Sequence, residues 1–258
     1  MNKKPPSVFI RILSVWKRHQ QCYFKHLIAN GLPPFMEPVL FIFAIGFGLG
    51  KYIDKIEGMN FAAYIAPAMM ATSSFYTASF ETTFGTFIRM EYQKTYQNIL
   101  SSPVTFRDIY WGELFWCGTK GFVFSLCVLL VISLFGLVKY PYALLTPFIG
   151  FVNAVVFGML GFFVTGFVKD INNFNIYFTG ILTPMFFFSE TFFPVSSMPA
   201  FMQNIANFIP LRHCVVLMRS LSNNIFDCSL LYNFIMLIVL AIPFGVYSYF
   251  KLQRRMIV

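Results

Sequence analysis

Six stretches of the chain are long and overwhelmingly apolar: residues 34–51, 61–80, 122–138, 143–167, 174–193 and 229–250. A helix needs roughly 20 such residues to cross about 30 Å of hydrocarbon. The pattern therefore predicts six membrane-spanning helices, an all-α integral membrane fold and a single transmembrane domain over 1–258. Prolines inside the windows (Pro38, Pro67, Pro147, Pro184, Pro243) fit this reading. Neighbouring helices and Ser or Thr side chains re-satisfy the carbonyls that a proline frees.

Three connecting segments carry pattern of their own. In 8–28, Arg11, Ser14, Arg18, Gln21 and Lys25 share one helical face, and Phe9, Ile12, Leu13, Trp16, Tyr23 and Leu27 lie largely opposite. That suits an amphipathic helix lying in the membrane interface, or a basic anchor ahead of the first span. Residues 89–103 are polar and helix-compatible until Ser101-Ser102-Pro103, where the proline disfavours helix before it. Thr105 and Asp108 then have the spacing of a capping box. Residues 194–227 hold a turn at Ser196, Ser197 and Pro199, then two short amphipathic stretches, 201–208 and 213–221. These read as surface helices or as segments dipping into the outer leaflet.

Charge sets the orientation. If the N-terminus is cytoplasmic, only Lys51, Lys55, Lys139, Arg212 and Arg219 of the 19 Lys and Arg residues fall outside. The positive-inside bias then places both termini, Lys94 and Arg255 in the cytoplasm, with Asp54 and Asp227 outside. It also accounts for the net charge of +9 without a nucleic-acid partner. The chain is 57% hydrophobic and 11% charged, against about 25% charged in a soluble domain, so lipids are its expected surroundings. Arg11, Lys17 and Arg18 interrupt any apolar run after Lys3 and Lys4. No cleavable signal peptide is expected, and the first span directs insertion.

Chemistry is sparse. There is no phosphate-cradling GxxxxGK[ST] loop, and Gly46-Phe47-Gly48-Leu49-Gly50-Lys51 has the wrong spacing and lies in a span. HExxH and GxSxG are missing, and His19, His26 and His213 are scattered, which argues against a metal site and against catalytic residues. Cys22, Cys117 and Cys127 are expected as free thiols. Cys214 and Cys228 both fall outside, where a disulfide can form. Glu37 and Glu81 sit at similar depth near the inner side of the first two spans. An acid at mid-bilayer costs on the order of 3 kcal/mol, so each is expected to face protein or water. They snorkel or pair with Arg89, or they line the inner mouth of a pathway.

Several pieces together carry a resemblance. They are Glu37-Pro38 with Phe43-Ala44-Ile45-Gly46-Phe47-Gly48-Leu49-Gly50, and Thr77-Ala78-Ser79-Phe80-Glu81-Thr82-Thr83-Phe84-Gly85 running into Gln93-Lys94-Thr95-Tyr96. Ser102-Pro103-Val104, Gly112-Glu113-Leu114, Thr183-Pro184-Met185-Phe186-Phe187-Phe188-Ser189 and Phe192-Phe193-Pro194 follow. Over nearly the whole chain this resembles the permease subunits of ABC exporters of the ABC-2 type, most of all their nodulation-factor (lipo-oligosaccharide) branch. One departure is Glu190, which follows Ser189 where the family often has Gly. The resemblance implies a dimer of permeases in a bacterial inner membrane, paired with two separate ATPase subunits that bind ATP and Mg. It implies no cofactor on this chain, and export of an amphiphilic, lipid-linked glycan-like molecule or a drug.

Under that reading 89–103 is the ATPase-docking helix. Tyr92, Tyr96 and Ile99 recur four and three residues apart, Leu100 adds apolar surface, Arg89, Glu91 and Lys94 supply charge, and Pro103 ends the segment. The alternative is a secondary transporter or channel with no separate ATPase. That would show inverted repeats and helices broken near mid-membrane, and no repeat is visible. A membrane-embedded transferase would need an acid, base or metal cluster.

Overall fold

The computed structural model describes residues 6–53 and 55–257, with the side chains of residues 33–35 and 257 excepted. Lys3, Lys4 and Asp54 lie outside the described residues. The helices follow in order: α1 (Val8–Phe24), α2 (Leu27–Phe41), α3 (Phe61–Phe80), α4 (Thr95–Leu100), α5 (Phe106–Leu134), α6 (Thr146–Phe167), α7 (Phe174–Tyr177), α8 (Thr183–Phe187), α9 (Ala200–Ala206), α10 (Pro210–Ser222), α11 (Cys228–Val239) and α12 (Ile242–Ile257). Wide π-helical turns carry α2 on through Ile42–Gly48, carry α3 on through Glu81–Gly85 and Ile88–Tyr92, and join α7 to α8.

Among the described residues four helical stretches are long and apolar enough to cross a membrane: Leu27–Lys51, Phe106–Leu134, Tyr142–Phe167 and Cys228–Met256. They account for the first, third, fourth and sixth expected windows. The second window, α3, is long enough, but Ala, Ser and Thr dilute its apolar character, and it is buried almost throughout. It is the central helix of the bundle. The fifth window departs from expectation. Residues 171–187 are helical in four short pieces, then the chain turns over 188–193. At 1.5 Å per residue that run reaches about 25 Å, a few ångströms short of the hydrocarbon thickness.

Small residues let the backbones of this bundle touch. A Cβ on Gly121 would lie 2.3 Å from Ala154 Cβ, and one on Gly150 would lie 2.1 Å from Ser125 Oγ. That seam joins α5 to α6 without bulk between them, as small-residue interfaces do in lipid. α3 is then fastened to both by hydrogen bonds. Ser125 Oγ donates to the Met70 carbonyl at 3.1 Å, Asn153 Nδ2 to Ser74 Oγ at 2.8 Å, and Thr165 Oγ1 to the Thr82 carbonyl at 2.7 Å. Thr72, Ser74, Thr82 and Thr83 turn their hydroxyls back onto carbonyls of their own helix.

α10, expected at the surface, is the largest correction outside the spans. Leu211, Cys214, Val215, Leu217, Met218 and Leu221 all belong to the main core. Its apolar face packs on α3 and α6 rather than meeting lipid. Cys214 is buried and Cys228 exposed, and both are free thiols, so the bridge that their shared side allowed is not formed. Burial pushes the Cys214 thiol up, which leaves it little thiolate.

Candidate functional site

The start of α1 and the end of α12 converge on one end of the bundle. Arg11 of α1 reaches Asp108 of α5 at 2.8 Å, and Arg255 of α12 reaches Glu91 at 2.9 Å. Asp108 also accepts from the Thr105 backbone and hydroxyl, each at 2.8 Å, so the expected capping box is present and doubles as the anchor for α1. α1 crosses α5 where Gly112 leaves room: a Cβ there would lie 2.7 Å from Val15 Cβ.

Above that anchor sits a buried cluster of charges. Arg89 lies between two carboxylates, with Nη1 2.7 Å from Glu81 Oε1 and Nη2 2.8 Å from Glu113 Oε2. Lys120 Nζ holds the other oxygen of Glu81 at 2.8 Å. His19 Nε2 of α1 approaches Glu113 Oε1 at 2.9 Å. Tyr96 of α4 completes the set: its hydroxyl accepts from Arg89 Nε at 3.1 Å and donates to Glu113 Oε1 at 2.5 Å. Burial pushes that phenol up, so it stays a donor. Two acids face two basic side chains, which is why a cluster this deep is tolerable: an unpaired charge here would cost several kcal/mol. Ligand atoms of His19, Glu81 and Glu113 all lie within 4.8 Å of one another, as a cation site would require. Arg89 and Lys120 already occupy the carboxylate oxygens, so a divalent cation would have to displace both.

The cluster forms one wall of a cavity of about 590 Å³ that Glu37, Tyr76, Thr77, Asn30 and Tyr23 also line. The expected acids thus share one space. Glu81 is paired with Arg89, as one of the expected readings had it, while Glu37 has no charged partner among the described residues.

The docking segment divides differently from expectation. Lys94 takes a left-handed backbone, φ 52°, and ends the helix that continues α3. Tyr92 and Tyr96 therefore do not share a face: Tyr92 is 66% exposed and Tyr96 2%. Tyr96 leaves the set of surface anchors and becomes part of the buried cluster. Glu91 is drawn to Arg255, and Arg89 is buried between its acids. Tyr92, Lys94, Gln97, Asn98 and Pro103 remain exposed, with Ile99 and Leu100 half-buried.

At the opposite end Glu190 also has a left-handed backbone, φ 59°. Its Oε1 lies 3.2 Å from Arg212 Nε and its Oε2 3.7 Å from Arg219 Nη1. Arg219 is 7% exposed, with its guanidinium 3.7 Å over the Tyr64 ring. The backbone conformation is one glycine adopts freely, and the two arginine contacts offset its cost for a glutamate.

Apolar spans around a hydrogen-bonded central helix, with paired charges at its two ends, define a polytopic α-helical membrane protein. Residues 11–222 match the ABC-2 type transporter family. The chain belongs to that family and is a transmembrane transporter subunit. It is 34% identical over 207 residues to "Nodulation protein J" of Sinorhizobium fredii, covering 80% of this chain and 79% of that protein. The protein of the same name in Bradyrhizobium diazoefficiens is 32% identical over 207 residues, with 80% and 79% covered. "Inner membrane transport permease YadH" of Escherichia coli is 21% identical over 250 residues, with 95% and 96% covered.

Proposed function

We propose that this chain is the membrane half of an ATP-driven exporter in a bacterial inner membrane. It works as a pair of copies with two ATPase subunits and moves an amphiphilic, lipid-linked glycan-like molecule or a drug outward. The observation that carries this is the family match across 11–222 in a chain with no phosphate-cradling loop. The relative named as an inner membrane transport permease supports the location; the cargo class rests on the motif resemblance described above. The charge asymmetry supports placing the end with both termini in the cytoplasm. Exposed Phe9, Leu13 and Phe24 on α1 support its lying in the inner interface, with its opposite flank packed on α5.

Energy coupling follows from the cluster. The exposed part of 92–103 is the docking surface for the ATPase, and Tyr96 links it to Arg89 and Glu113. A push on that surface reaches the cavity wall through hydrogen bonds rather than through slack loop. The irregular helical run through 174–187 has a counterpart in the discontinuous helices of secondary transporters, but the family match favours the ATP-driven reading.

Purified without its ATPase, the chain should hydrolyse no ATP. Reconstituted with it, the complex should hydrolyse ATP and clear a glycolipid cargo from the inner leaflet. Turnover by rigorously partner-free protein would end this reading. The orientation has its own check in the native cysteines. An impermeant maleimide applied to intact cells should alkylate Cys228, which is exposed at the outer end, and spare Cys22, which is exposed at the inner end. Labelling of Cys22 with Cys228 untouched would invert the topology.

A further inference from the structure

A second cavity lies beside the polar one. It holds about 490 Å³ between α1, α2 and α5, and its walls are almost wholly apolar, with Phe24, Leu27, Leu32 and Val123 exposed on them. The two cavities share Tyr23, Trp116 and Lys120. These three form one rim: the Tyr23 and Trp116 rings meet edge to face at 5.5 Å, and Lys120 Nζ lies 4.9 Å over the Tyr23 ring. The polar side has a definite chemistry. Its cations, Arg89 and Lys120, are already engaged by Glu81 and Glu113. What it offers a ligand is the carboxylate of Glu37 and the neutral groups of Asn30 and Tyr76. Such a space accepts hydroxyls and repels a phosphate.

We infer that the two cavities are a single site for a membrane amphiphile. Its tail lies in the apolar groove, its chain crosses the Tyr23–Trp116–Lys120 rim, and its uncharged, hydroxyl-rich head sits in the polar cavity. Binding of this kind needs no ATPase; only the identification of the bound molecule as cargo rests on the exporter reading.

The tryptophans make the site testable. Trp16 and Trp116 line the apolar groove, while the third, Trp111, faces elsewhere. The full chain carrying Trp111→Phe is placed in nanodiscs and titrated with an alkyl maltoside brominated along its tail. Saturable quenching is expected. An alkyl phosphate with the same brominated tail should quench only in proportion to its mole fraction. Val123→Phe, at an exposed position on α5, and Gly31→Leu, on α2, each intrude on the groove from a different wall. Each displaces about two methylenes of tail, so each should weaken the saturable component about tenfold. Quenching that is linear for the maltoside, saturation by the phosphate equal to that by the maltoside, or saturation unmoved by both variants would overturn the assignment. Export that persists without saturable binding would refute this site and leave the exporter reading standing; saturable binding without ATP-dependent export would do the reverse.

Discussion

Replacing Arg89 with Ala should be the most damaging single change in the chain. It leaves Glu113, 1% exposed, without its cation, while Glu81 keeps Lys120. Breaking a buried pair from one side costs about 3–5 kcal/mol, enough to empty the native state of many proteins. Folded yield and thermal unfolding in detergent should both fall sharply. The test of cause is the second change: Arg89→Ala with Glu113→Gln restores the balance of charge and should recover most of the loss. If the double variant is no better than the single one, the damage comes from lost packing and the electrostatic account is wrong.

Docking and transmission should come apart under mutation. Tyr92→Ala with Lys94→Glu removes an exposed aromatic and reverses an exposed charge on the proposed docking surface. Interface anchors of this kind are worth about 2 kcal/mol or more, roughly thirtyfold in affinity. The ATPase should be lost during purification while the permease inserts at its usual level. Tyr96→Phe should behave oppositely. The ATPase stays bound, since that side chain is interior, but export per ATP hydrolysed falls because the link to Arg89 and Glu113 has lost its hydroxyl. Retention of the ATPase by the double variant would dissolve the docking assignment, and unaltered coupling in Tyr96→Phe would dissolve the transmission route.

The parts of this molecule that were readable in the sequence are those set by local rules. The Thr105–Asp108 cap, the stop at Pro103 and both ends of the fourth window need only neighbours along the chain. The Glu81–Arg89 pair, eight residues apart on one helical rod, was within reach for the same reason. Glu113, Lys120 and His19 were missed because hydropathy counts charge without asking whether it is paired. Lys120 and Glu113 pushed the start of the third window to 122, yet α5 begins at Phe106, because both charges are matched within the fold. The signal that could have found them was Glu113 itself, an acid followed at once by apolar residues and so in need of a cation from another helix. α10 failed for the converse reason: an amphipathic helix looks the same in sequence whether its apolar face meets lipid or protein.

The central helix has a consequence for where anything can pass. The hydroxyls of Thr72, Ser74, Thr82 and Thr83 are turned onto the helix's own backbone, and Gly and Ala close the space between α5 and α6. The middle of a copy is therefore closely packed. One subunit is a piece of wall, not a pipe. On the exporter reading proposed above, cargo runs along its outer flank, in a seam whose far bank is the second copy, and the shape of that seam changes whenever the two banks slide or tilt against each other, with no rearrangement inside either.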